Sequence, residues 1–154
     1  MKYLALTDGW QFDRLIKTKS QTAANGQSRI LERVHQIFPM TLFPDELIVE
    51  ELRVVWIRRR GPWTSELVSI MATDIACVYA TRGLIFGSLH IKNITGGPEI
   101  CLDSLLGRDA YKIRNLVEGI ALASREGLQL ERTVNLDKER NEILRVGQVR
   151  SSFV

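Results

Sequence analysis

The chain has 154 residues, 45% hydrophobic and 25% charged, a balance that excludes a disordered or fibrous protein. Its 21 basic and 18 acidic residues leave a formal charge of +3, which permits an anionic partner without requiring one.

Residues 1–40 predict a helical extension. Asp8 and Gln11 are spaced as a capping box, and Phe12, Leu15, Ile16 and Lys19 follow at helical intervals. Asn25-Gly26-Gln27-Ser28 interrupts this pattern. Ser28 then serves as the N-cap of a second helix, with Ile30, Leu31, Val34, Ile37 and Phe38 on one face. Pro39 ends it, because proline disfavours the α conformation in the residue before it.

Residues 42–126 form the central domain. The helical period gives way to alternation and regular turn signals. One long strand is expected from Leu47 to Arg59, opened by Pro44-Asp45-Glu46. Gly61-Pro62 turns the chain into a second strand, Trp63 to Met71. A third covers Ile75 to Thr81 and a fourth Ile85 to Ile94, separated by Arg82-Gly83. Thr95-Gly96-Gly97-Pro98 is a hairpin turn, and a fifth strand covers Glu99 to Asp103. A helix over 109–125 presents Ile113, Leu116, Val117 and Ile120 as one stripe, and Gly127 stops it. The C-terminal extension, 127–154, begins with alternation from Leu128 to Leu136. Asp137 then caps a short helix reaching Leu144, and the chain frays from Gly147.

The apolar runs, such as Val54–Ile57, fall far short of the roughly 20 residues that span a bilayer. The first apolar stretch stops at Asp8, too early for a secretory signal. A cytoplasmic location is therefore expected. Cys77 and Cys101 show no CxxC spacing and no His or Asp in metal-ligand register, so both read as buried reduced thiols.

Chemistry-bearing motifs are sparse. His35 falls on the polar flank of a predicted helix and His90 on the outward face of a predicted strand. No GxSxG, HExxH, P-loop or GxGxxG occurs, so neither catalytic residues, a metal site nor a cofactor is expected. Gly83-Leu84-Ile85-Phe86-Gly87 lies in strand sequence and lacks the helix N-terminus that a phosphate cradle needs. The most informative polar group is Arg58-Arg59-Arg60, followed by Gly61-Pro62-Trp63. Guanidinium groups at a strand end suit bidentate binding of phosphate, and Trp63 suits a headgroup layer. The same residues also suit a solvated hairpin end that discourages aggregation. Nucleic acid is disfavoured, since stacking aromatics beside lysines are missing.

The stretch Leu42 to about Ala121 resembles a bacterial pleckstrin-homology (PH-like) domain. The resemblance rests on Leu42-Phe43-Pro44-Asp45-Glu46 and Val68-Ser69-Ile70. It continues through Tyr79-Ala80-Thr81-Arg82-Gly83-Leu84-Ile85-Phe86-Gly87-Ser88-Leu89-His90-Ile91, then Gly96-Gly97 and Arg108-Asp109-Ala110. It implies an α+β fold, a curved antiparallel sheet or partial barrel capped by the C-terminal helix. Seven strands are usual in that family, against the five placed above. Unpaired edges recruit partners. The expected function is thus a non-enzymatic module that binds a protein partner or forms a homo-oligomer. The alternative is a peripheral binder of anionic lipid or phosphate headgroups through Arg58, Arg59, Arg60 and Trp63.

Overall fold

The computed structural model describes residues 28–38, 41–127 and 135–151. Seven strands and two α-helices occur in them: β1 Ile30–His35, β2 Glu46–Glu50, β3 Arg53–Arg59, β4 Ser65–Met71, β5 Ile75–Arg82, β6 Phe86–Asn93, β7 Ile100–Leu106, α1 Gly107–Glu126 and α2 Leu136–Ser151. The strands form two antiparallel sheets, β1-β2-β3-β4 and β5-β6-β7. The fold is α+β, with no closed barrel among these residues, and it is compatible with the PH-like arrangement that the resemblance implies. The two sheets touch where the Ile37 N–H donates to the Ser104 carbonyl at 3.0 Å.

Alternation puts one apolar face of each sheet inward. Leu47 and Val49, Val54 and Trp56, Val68 and Ile70 converge from β2, β3 and β4. Leu89, Ile91, Ile100, Leu102 and Leu105 meet them from β6 and β7. Helix α1 supplies Ala110, Ile113, Leu116, Val117 and Ile120 to the same cluster. Its N-terminal turn sits tightly on β6, where a side chain at Gly87 would strike the Thr81 carbonyl and the Ala110 methyl. That is the use of the Gly83–Gly87 segment. Gly127 ends α1 in the left-handed conformation at φ 62°, donating to the Ala123 carbonyl, as its position in the sequence predicts.

Three expectations need correction. The residues read as a helix from Ile30 to Phe38 form strand β1 from Ile30 to His35. The rest of the predicted helical extension, before Ser28, lies outside the described residues, as does the alternating segment 128–134. The single strand from Leu47 to Arg59 is a hairpin, with β2 and β3 paired Val49 to Val54 around a turn at Glu51-Leu52. These two changes supply the missing strands. The last helix extends to Ser151 rather than Leu144, and its cap is Asn135, not Asp137. The Asn135 Oδ1 accepts from the Asp137 N–H at 3.1 Å and its carbonyl from the Lys138 N–H at 3.1 Å.

Helix α2 packs against α1 through glycine. A Cβ at Gly147 would collide with the Asn115 carbonyl, and one at Gly119 with the Ile143 carbonyl. This close approach lets Ile143, 1% exposed, enter the core. Ion pairs reach from the helices to β1. Glu32 faces both Lys112 at 2.6 Å and Arg140 at 3.2 Å. The Arg29 guanidinium bridges Glu51 at 2.9 Å and the buried Glu139 at 3.0 Å. In an exposed helix Gly→Ala stabilises by up to about 1 kcal/mol. Here the added methyl meets backbone, and overpacking costs about 1–3 kcal/mol. Gly147→Ala is therefore expected to lower the thermal midpoint. A raised midpoint would show that the two helices are not in contact there.

Candidate functional site

The β3–β4 hairpin carries the residues that the sequence singles out. Its base is fixed by Asp45, which is 8% exposed. One carboxylate oxygen accepts from Trp56 Nε1 at 3.2 Å and the other from the Arg59 backbone N–H at 2.8 Å. The Asp45 N–H donates to Gln36 Oε1 at 3.0 Å, and the Gln36 N–H donates back to the Asp45 carbonyl at 3.0 Å. Asp45 thus ties the end of β1 to the outgoing end of β3, and so positions the arginines.

The arginines do not share one cradle. Successive strand residues point to opposite faces. Arg58 lies on the face of Trp56, its guanidinium carbon 5.3 Å from the indole centroid, a cation–π contact. Arg59 lies on the other face, 3.9 Å from Glu46, a carboxylate that Arg33 also meets at 3.1 Å. Arg60 pairs with Glu66 at 3.1 Å, and its N–H donates to the Thr64 carbonyl across the loop. Trp63, at the tip, is 93% exposed.

Strand β4 lies last in its sheet, and among the described residues no strand pairs with its far edge. The other edge strands are irregular. The β1–β2 ladder slips between Ile30 and Glu32, β5–β6 between Ile75 and Cys77, and β6–β7 between Gly87 and Leu89. The β3–β4 register runs without a slip from Arg53↔Met71 to Arg59↔Ser65. Bulges, prolines and charged side chains blunt sheet edges, and β4, Ser65-Glu66-Leu67-Val68-Ser69-Ile70-Met71, has neither a bulge nor a proline and a single charge, Glu66, which Arg60 pairs. Leu67 and Met71, on its outer face, are about half exposed. They border a second apolar cluster made by Ile48, Val55 and Ile57 with Ile30.

The cysteine expectation also changes. Cys77 is half-buried and Cys101 exposed. Cys101 is not isolated from metal-binding partners either. β7 pairs it with His90 on β6, and Glu99 stands two residues before it on the same face. Partial burial, then the carboxylates of Glu99 and Asp103, raise the Cys101 thiol above its ordinary pKa, against the opposing pull of Arg58 and Lys92. On the same face Tyr79 pairs with His90, and its phenol is raised chiefly by a side-chain hydrogen bond with Cys77. Sequence spacing alone misses this group, because it forms across the Thr95–Pro98 turn. Counting outward from that turn is the signal that finds it.

No protein-family model matches the chain, and no curated protein matches it in sequence. Among the described residues, no helix is long and apolar enough to cross a membrane.

The Asp45 arrangement generates a stability expectation. Asp45→Ala strands the indole and Arg59 N–H donors, each at a cost of about 1–3 kcal/mol. Denaturant unfolding followed by tryptophan fluorescence should show a loss of about 2 kcal/mol or more for the two donors together. A change below about 0.5 kcal/mol, the level of an ordinary surface substitution, would deny Asp45 its anchoring role.

Proposed function

We propose that this chain is a non-enzymatic, PH-like interaction module, cytoplasmic, that binds a protein partner or a second copy of itself. The observation that carries the reading is the regular edge of β4, which no strand pairs among the described residues. Such an edge accepts an extended segment through backbone hydrogen bonds, while alternate side chains select it. Leu67 and Met71 supply apolar contact beside that edge, with the small Ser69 between them.

A second reading is membrane-peripheral binding of anionic lipid or phosphate headgroups, favoured by exposed Trp63 beside Arg58, Arg59 and Arg60. It stands second because Glu46 and Glu66 already meet Arg59 and Arg60. An anion must compete with those carboxylates for the guanidinium groups.

The double variant Leu67→Lys/Met71→Lys places two ammonium groups at the edge, on side chains outside the core. Light scattering across a concentration series reads self-association, and affinity capture reads partners. The wild type is expected to associate, with affinity falling about tenfold or more in the variant. A monomeric wild type that captures the same proteins as the variant would reject the edge. Strong binding of wild type to anionic vesicles, lost on Arg59→Ala/Arg60→Ala, would favour the second reading instead.

A further inference from the structure

The outer face of the three-stranded sheet holds a group of side chains that the interaction reading does not use. On β6, Gly87, Leu89 and Ile91 are buried, so Ser88, His90 and Lys92 face outward. Across the β6–β7 ladder His90 stands opposite Cys101. The His90 Nε2 lies 2.7 Å from Glu99 Oε2. One ligand atom each from His90, Glu99 and Cys101 falls within 4.8 Å of the others.

We propose that His90, Glu99 and Cys101 form a three-ligand site for a zinc-class divalent cation, with water completing the coordination. The donor set selects the class of ion. Calcium and magnesium take oxygen ligands, whereas imidazole and thiolate beside one carboxylate suit zinc. Geometry agrees. Bond lengths of about 2.0–2.3 Å at tetrahedral angles put donor atoms about 3.3–3.8 Å apart. The separations in this group, from 2.7 Å up to 4.8 Å, span that range, so side-chain movements of about 1 Å close the site. The ladder holds the His90 and Cys101 backbones in place, and exposure leaves room for an ion to enter.

Charge near the thiol does not forbid binding. Glu99 and Asp103 favour a cation, and Arg58 and Lys92 oppose it. The thiolate formed on binding adds a third negative charge to those two. A coordinating thiol gives up its proton to solvent as the metal–sulfur bond forms, so one proton is released per ion bound at Cys101. The simpler role for His90 and Glu99 is an exposed ion pair worth little energy, which needs no cysteine. Dependence on Cys101 therefore separates the two.

The test uses the full chain, reduced and stripped of metal, titrated with Co(II) and then Zn(II). A thiolate-to-cobalt charge-transfer band should appear at one equivalent and be displaced by zinc. It should persist in Cys77→Ser, vanish in Cys101→Ser, and require at least tenfold more metal in His90→Ala. The metal-free variants should melt like wild type, since the side chains they alter face outward. Absence of the band in wild type would overturn the site. So would its survival in Cys101→Ser, its loss in Cys77→Ser, or equal zinc affinity in all four proteins.

Discussion

One apolar cluster, filled from all seven strands and closed by α1, is the constraint from which the other features follow. A sheet with an apolar face must bury that face against something. Here each sheet buries it against the other and against the same helix. Leu116 and Val117 are fully buried between them. The second helix is an addition to this unit. It gains its place through Ile143 and through the close contacts at Gly119 and Gly147, and the Arg29 and Glu32 ion pairs tie it to β1.

Once the inward faces are fixed, the period of two decides what the outward faces carry. Arg58 and Arg59 are neighbours in sequence and fall on opposite sides of β3. His90 and Cys101 are distant in sequence and fall side by side. The same ladder logic isolates β4. Slips in the pairing of β1, β5 and β7 absorb the curvature that lets two sheets share one core. The β3–β4 pair lies at the far end of its sheet and carries no such slip.

Much of this architecture is legible in the sequence. The turns at Gly61-Pro62 and Thr95–Pro98, the strands they join, and the helix with its Gly127 stop all follow from local chemistry. The misses have physical causes. In β1 the slip leaves Leu31 without a partner of its own, so Leu31 and Val34, three residues apart, both face the core. That spacing imitates one turn of helix. Between β2 and β3 the turn at Glu51-Leu52 has no glycine, proline or asparagine to mark it. The change of face there is masked, because Ile48, Val55 and Ile57 make the outer face apolar as well. The arginine group was visible as composition, yet its partners Glu46 and Glu66 come from neighbouring strands and need the register. The His90, Glu99 and Cys101 group needs it too.

The shared core is tested most directly by native-state hydrogen exchange on Leu116→Ala. Truncating a fully buried leucine costs about 2–5 kcal/mol. If both sheets close on one helix, the slowest amides of β2 and β3 and those of β6 should lose protection together, by one common free energy. Retained protection in β2 and β3 while β6 opens would contradict the account, because it would mean two cores rather than one.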